Sequence, residues 1–433
     1  MLRGVEVRAG MTHDVILGMR DTWGQDAPIS LSAADRRHHV YAIGKSGTGK
    51  TTLLRNLIIQ DIEAGRGVAL IDPHGDLATE ILDHIPRRRI EHVTYFDPSD
   101  PGHAPGLNLF ARVPADRRHL VASGIVGAFK SIFPDFFGPR MEYVFYAAVS
   151  ALLDCENVSF LGLPRMLTDS KYRAWVVRQV KDPVVRSFWE YEFEAHDRHT
   201  KAEMVSPILN KVGPLLMTPQ LRNILGQVRG RIDARFMMDE GRIFIANLSK
   251  GKLGADKSSL LGSLLVTQFQ LAAMARADVR ETERRDFFLY VDEFHSFVSD
   301  SFAAILAEAR KYRLCLTLAH QYTAQLKREI AQAVVGNVGT FLAFRVGHGD
   351  AEELQKAFGD SFPASAFTSL NNGEVYAKLL SNGRDIEPFL GRTLPPAGKR
   401  HGRRDAIIRR SREKYSTRRE VVEGIIKKWL ASR

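Results

Sequence analysis

The strongest constraint on this 433-residue chain is eight residues long. Gly44-Lys45-Ser46-Gly47-Thr48-Gly49-Lys50-Thr51 satisfies the spacing GxxxxGK[ST] and stands between a short apolar run, HVYAI, and an amphipathic stretch, TTLLRNLIIQDIEA, that ends at Gly65. Strand, glycine-rich loop and helix form the context this spacing requires. The glycines let backbone N–H groups close around a phosphate, and the helix N-terminus adds the positive end of its dipole. Gly44 to Thr52 are therefore candidate phosphate contacts. Lys50 is placed to reach the β- and γ-phosphates and the Thr51 hydroxyl to ligate Mg²⁺, which implies ATP and Mg²⁺ as cofactors.

The rest of the chain repeats the alternation. GVALID (67–72) and HVTYFD (92–97) read as buried strands that stop at Asp-Pro pairs. From about residue 116 to 231 the periodicity becomes helical in MEYVFYAAVSALLD, KYRAWVVRQV and VVRSFWEYEFEAH, punctuated by prolines 164, 183, 207, 214 and 219. Strands then resume at 242–248, 287–294, 314–321 and 341–346, with helices over 257–276 and 301–312. EVYAKLL and DIEPFLGR, joined by Ser381-Asn382-Gly383-Arg384, predict a hairpin. The pattern predicts an α/β fold with a parallel sheet and an all-α insertion, divided as a short extension (1–37), a first core part (38–115), the insertion (116–231), a second core part (232–397) and a tail (398–433).

Hydrolysis needs more than a phosphate cradle. The run Phe287–Val291 ends in Asp292-Glu293, so both carboxylates emerge at the C-terminal edge where open α/β sheets hold ligands. Asp292 suits the shell of the Mg²⁺ ion, partly through water, and Glu293 suits orienting and deprotonating the attacking water. The run LCLTLA ends in His320-Gln321; an amide at 321 can bond the γ-phosphate or the water, while His320 reads as a structural residue. Arg310 and Arg345 are the two candidates for positive charge on the transition state.

Charge is informative once it is mapped. Lys and Arg exceed Asp and Glu by 61 to 50, but residues 398–433 hold 13 of the basic residues against 4 acidic ones, so the excess is almost entirely tail. That tail reads either as a solvated terminus or as a tethered patch for a phosphate backbone. Its apolar positions Val421, Val422, Ile425, Ile426 and Trp429 have helical spacing, so part of it is also expected to dock on the protein. The other candidate DNA contacts are Lys250 and Lys252 in the glycine-containing loop 249–254, together with Lys327 and Arg328. Cys155 and Cys315 lie in apolar runs without metal-binding spacing, which reads as buried thiols in a reducing, cytoplasmic compartment and no structural metal. The N-terminus, MLRGVEVRAGMTHD, carries charges where a targeting peptide needs an apolar segment. Residues 258–275 lack charge but hold Ser258, Ser259, Ser263, Thr267, Gln268 and Gln270, and so read as a buried helix and not a membrane span.

An ordered set of segments then resembles a known family: HVYAIGKSGTGKTTLL, ALIDPHGDL, GPRMEYVF, RIFIANLSKGKLG, LYVDEF, AEARKYRLCLTLAHQY, GNVGTFLAFRVGHGDAEEL and SREKYSTRREVVEGI. The chain resembles the HerA/FtsK superfamily of DNA-pumping ATPases, and within it the TraG/TraD/TrwB-like coupling proteins of type IV secretion, from about residue 37 onward. The resemblance implies a RecA-like P-loop NTPase core with an inserted all-α domain. It assigns Lys50 and Thr51 to Walker A, Asp292 and Glu293 to Walker B, Gln321 to the sensor, and Arg310, ahead of Arg345, to an arginine finger supplied across a subunit interface. A homo-hexamer with DNA in a central channel is implied. Coupling proteins of the family carry transmembrane helices ahead of the motor and HerA proteins a β-barrel. Neither fits in some 37 residues, so membrane attachment is expected through a partner.

Three functions remain open at this stage. The first is a DNA translocase for conjugation or mobile-element transfer, partnered with a relaxase or with channel proteins of type IV secretion. The second is a HerA-like motor partnered with a nuclease. The third is a nucleotide-switched recruitment module that does not pump.

Overall fold

The computed structural model describes residues 14–134, 137–298 and 302–432. The charged stretch at residues 1–13 lies outside them, as does Ser301 at the start of the expected helix 301–312. The strands in chain order are β1 (Val15–Thr22), β2 (Gln25–Leu31), β3 (Val40–Ile43), β4 (Gly67–Asp72), β5 (Val93–Phe96), β6 (His103–Pro105), β7 (Ile243–Asn247), β8 (Phe287–Val291), β9 (Leu314–His320), β10 (Thr340–Ala343), β11 (Glu374–Lys378), β12 (Leu380–Ser381), β13 (Arg384–Asp385), β14 (Phe389–Thr393) and β15 (Ser416–Arg418). Eleven of them make one sheet in the order β2-β1-β14-β11-β10-β3-β9-β8-β4-β7-β5. From β10 to β5 every neighbour is parallel, and from β10 to β2 every neighbour is antiparallel.

The seven parallel strands are buried on both faces, and their residues are accordingly apolar along their length: β3, β4, β7, β8 and β9 expose nothing. The Walker helix, Lys50–Glu63, covers one face with Leu53, Leu54, Leu57, Ile58 and Ile62. On the other face lies Ala255–Ala275, a helix charged only at Asp256 and Lys257, whose length and composition would suffice to cross a membrane. Here it is a core helix, with Leu260, Leu261, Leu264, Leu265 and Phe269 buried and Phe269 stacked on Phe287 of β8 at 5.6 Å. A glycine at 262 is required, because the ring of Phe297 would lie 2.2 Å from a Cβ there.

Between β6 and β7 the described chain is helical, with the longer segments at Arg118–Ile132, Pro139–Leu153 and Arg198–Met217. The last runs through Pro207 and Pro214, where the sequence reading expected breaks. Burial of Ile208, Val212 and Leu215 on one side supplies the packing that offsets two missing N–H donors.

One other segment departs from expectation. The stretch before β3, read as a plain extension, contributes the β1–β2 hairpin, which joins the sheet through β14. The basic tail is not a free terminus but docks on the protein, as the helical spacing of its apolar positions predicted. It forms helices Arg404–Tyr415 and Arg419–Ala431 joined by β15, which pairs with β6. Val422 and Ile426 enter the core of the helical region, and Trp429 meets Tyr172 edge-on at 6.1 Å. Five of the tail's cations are paired: Arg400 with Glu80, Arg404 with Asp83, Arg410 with Glu91, Arg412 with Asp100 and Arg419 with Glu423. Cys155 and Cys315 are buried free thiols, and burial pushes the Cys155 thiol up to about 12.

Candidate nucleotide site

Strands β3, β9 and β8 are adjacent and parallel, so the segments leaving their C-terminal ends must meet. The loop after β3 is anchored at its base: Gly44 N–H donates to His320 O at 3.3 Å and Lys45 N–H to Arg345 O at 2.8 Å, while Thr48 Oγ1 donates to Lys45 O at 2.8 Å. Gly49 enters the helix with φ of 122°, a conformation open to glycine alone. From Ser46 to Thr52 no backbone N–H donates to another group among the described residues. Leu53 makes the first helical bond, to Gly49 O at 2.9 Å. A ring of unspent donors at a helix N-terminus is a phosphate cradle.

Lys50 folds back into this cradle and donates to Gly44 O and, at 3.0 Å, to Lys45 O. Burial lowers its pKa, opposed by the charges of Glu293 and Asp292. With only carbonyl partners, the ammonium is held in place for an anion. Thr51 is exposed at the mouth, and Ser46, Gly47, Thr52 and His74 line the same cleft with Asp292, Glu293 and Gln321.

The acidic side of the cleft is under electrostatic strain. Asp292 is buried, and burial together with Asp72 and Glu293 pushes its carboxyl up to about 7. Asp72 is itself committed to capping the next helix, accepting from His74 N at 2.8 Å and Ala78 N at 2.9 Å. Glu293 sits at φ 47°, left-handed for a residue with a side chain, which turns it back over the strand ends. Its Oε1 accepts from Gln321 Nε2 at 2.8 Å, whereas Oε2 is buried without a hydrogen-bond partner. Excess negative charge with an unsatisfied carboxylate oxygen fits a cation. No group of three or more His, Cys, Asp or Glu side chains converges to hold a metal among the described residues, so a cation here must share its ligands with phosphate oxygens and water, as Mg²⁺ does with a nucleotide.

The two arginines lie at opposite ends of the strands. Arg345 is beside the cradle, its carbonyl on Lys45 and its guanidinium on Leu370 O at 3.3 Å and Asn372 Oδ1 at 3.2 Å. Arg310 lies on the turn before β9, exposed, donating to His38 Nδ1 at 3.3 Å. The seven residues of β9 separate it from Gln321 by roughly 20 Å. Arg310 therefore cannot reach the cleft of its own chain.

The lysine turn after β7 is a helical turn, Lys250–Leu253, and not the flexible loop its glycines implied. Lys250 is tied to Ser296 Oγ at 2.9 Å, whereas Lys252 is exposed. Lys327 and Arg328 are exposed at the start of the helix ending at Asn337, on the segment that follows Gln321. His320 is buried against Tyr41, with its ring nitrogen bonded to the tyrosine hydroxyl, and burial lowers it to about 3.

Residues 235–365 match the sequence model of the type IV secretion-system coupling protein DNA-binding domain. The chain resembles a coupling-protein ATPase. Among solved structures it is similar to the bacterial conjugative coupling protein TrwBdeltaN70 in an unbound form (TM-score 0.63, 14% identity, covering 86% of this chain and 88% of that one). It is also similar to the plasmid coupling protein TrwB in complex with ADP and Mg²⁺ (0.62, 15%, 91% and 92%) and to VirB4 of Thermoanaerobacter pseudethanolicus (0.59, 13%, 88% and 96%). No curated protein sequence matches the chain. The coupling-protein-like fold is thus a RecA-like P-loop NTPase core carrying an all-α domain.

Within that fold, three residues lining or adjoining the cleft escaped the sequence reading: His74, His295 and Ser296. The first follows Asp72 by two positions, and the other two lie two and three positions after Glu293, so their only signal was nearness to recognised strand ends.

Proposed function

We propose that this chain is an ATP-hydrolysing DNA translocase of the coupling-protein type, acting as a homo-hexamer with DNA in its central channel. Residues 38–115 and 232–397 are its motor and 116–231 its all-α domain. The N–H groups of Ser46 to Thr52 and the Lys50 ammonium hold the β- and γ-phosphates. Thr51 and, through water, Asp292 hold Mg²⁺, which supplies charge neutralisation at the phosphate oxygens. Glu293 takes the proton of a water whose oxygen attacks the γ-phosphorus, ADP departs in line, and Gln321 orients water or γ-phosphate. Arg310 completes the site of a neighbouring subunit, with Arg345 retained at the phosphate loop. DNA phosphates are met by Lys250, Lys252, Lys327 and Arg328, without base reading. Conjugative transfer, with relaxase and secretion-channel partners and a cytoplasmic location beside the membrane, is the setting we assign.

The observation that carries this reading is the separation of Arg310 from its own cleft, on a site otherwise equipped for hydrolysis. ATP hydrolysis with and without single- and double-stranded DNA, alongside the mass of the assembly, tests it in wild type and Arg310→Ala. DNA-stimulated hydrolysis in a six-subunit ring, lost in the variant with the ring intact, is the expected result. Hydrolysis indifferent to DNA in an active monomer overturns it and favours a nucleotide-switched recruitment module.

A further inference from the structure

A polar chain runs from the turn after β7 to the carboxylate after β8. Lys250 Nζ donates to Ser296 Oγ at 2.9 Å, and Ser296 Oγ lies 3.3 Å from His295 Nε2. Gln325 Nε2 lies 3.4 Å from the same ring nitrogen, and Gln325 Oε1 accepts from the backbone of Gln321 and Tyr322. On the other side of the ring, His295 Nδ1 is 3.4 Å from Glu293 Oε2, yet the two are not aligned, and both atoms are buried without a hydrogen-bond partner.

These contacts favour one tautomer of the neutral ring. A lysine donating to Ser296 leaves the serine hydroxyl hydrogen to point at Nε2, and the Gln325 amide is also a donor there. Nε2 is then an acceptor and the proton sits on Nδ1, facing a carboxylate oxygen that has nothing else to accept from. A small rotation of the imidazole would bring Nδ1–H into line with Oε2, away from its contacts with Ser296 and Gln325.

We propose that His295 is a positioning residue that links DNA engagement to the catalytic carboxylate. When Lys250 leaves Ser296 for a DNA phosphate, the serine loses its orienting donor, the ring turns, and Nδ1–H fixes Glu293 Oε2 opposite the Gln321 bond on Oε1. The carboxylate is then held at both oxygens with lone pairs left for the attacking water. This inference rests on the readings above of Lys250 as a backbone contact and Glu293 as the base.

The test is the DNA-stimulated to DNA-free ratio of ATP hydrolysis by the full chain, at saturating ATP and DNA. Lys250→Met is expected to raise the DNA-free rate toward the stimulated level, because Ser296 is released without DNA. His295→Ala and His295→Gln are expected to hydrolyse at the DNA-free wild-type level or below, with the ratio collapsed to within about twofold of one. The Lys250→Met/His295→Gln double variant is expected to resemble His295→Gln, since the lysine acts through the ring. Nucleotide affinity checks that each variant folds. His295→Gln is close to His in volume, so full stimulation in it would reduce His295 to packing and overturn the inference with the translocase reading intact. An unchanged DNA-free rate in Lys250→Met would overturn the release step. A wild type indifferent to DNA would bring down the translocase reading and this inference together.

Discussion

The two edges of the parallel sheet are built from the same residue types to opposite ends. At the edge where β3, β8 and β9 begin, charge is matched. Arg36 bonds both oxygens of Asp61 at 2.7 Å and the Tyr290 hydroxyl at 2.7 Å while lying 3.8 Å over the Phe288 ring. Arg37 is bidentate on Asp286 at 2.8 and 2.9 Å, and Arg276 ties Asp239 to the carbonyls of Arg285 and Tyr312. At the edge where the strands end, charge is left over: Lys50 has only carbonyls, Asp292 is pushed up by burial and like charge, and one oxygen of Glu293 has no partner. The difference separates groups that hold the fold from groups that await a ligand. Arg310 belongs to neither set, since it stands on the matched edge with one neutral neighbour.

The largest effect should come from Arg310, the residue we propose to act across a subunit interface. Arg310→Ala should lower kcat by about 10³-fold or more, in the range of an arginine finger, with ATP affinity retained. Glu293→Gln should cost about 10²–10⁴-fold, again without loss of ATP binding. Mixing the two inactive variants is the sharper measurement. A subunit with Glu293→Gln still offers Arg310 to its neighbour, and the neighbour with Arg310→Ala still offers Glu293. Partial recovery in mixed rings is expected, and no recovery would return Arg310 to a purely local role.

Much of this division could be read from sequence, for a physical reason. A nucleotide cradle is local: GKSGTGKT carries its own glycines, helix and lysine, and Asp292, Glu293 and Gln321 are placed by where apolar runs stop. The matched edge is not local. Arg36 and Asp61 are 25 positions apart and Tyr290 is 229 beyond Asp61, so nothing in the spacing announces their contact. The β1–β2 hairpin was invisible for the same reason, since Gln25–Leu31 is half exposed and gains its register from β1 alone. The tail shows both cases: its apolar stripe was legible, while the acidic partners of its arginines, at 83, 91 and 100, were not.

Breaking the matched edge should cost stability and not chemistry. Asp61 is buried, and although burial alone would raise its carboxyl, Arg36, Arg66 and Tyr290 bring the pKa below its ordinary value. Asp61→Asn leaves the Arg36 guanidinium uncompensated in the core and should lower unfolding free energy by about 3–5 kcal/mol in denaturant titration. The depressed pKa means that this contribution is present above the unfolded value near 3.8 and is lost as pH falls through the folded value. The stability gap between wild type and Asp61→Asn should therefore be constant near neutral pH and narrow only in acid. A gap that narrowed between pH 6 and 8 would mean that another group, and not Asp61, carries the difference.

Arg37 offers the smallest and most discriminating change. Its pair with Asp286 has good bidentate geometry, but the two side chains are 28% and 18% exposed, and Arg313 stands 3.5 Å from the same carboxylate. Solvent screening and a second cation should hold the cost of Arg37→Ala to about 0.5–1 kcal/mol, well below that of Asp61→Asn. Asp286 precedes β8 as Arg313 precedes β9, so this cluster also spaces the turn that carries Arg310. If the edge acts as independent pairs, Arg37→Ala should leave the ATPase rate of the assembled protein unchanged and shift only the melting curve. A cost near that of Asp61→Asn, or a fall in DNA-stimulated rate with the assembly intact, would show instead that the matched edge is one cooperative frame on which the proposed role of Arg310 depends.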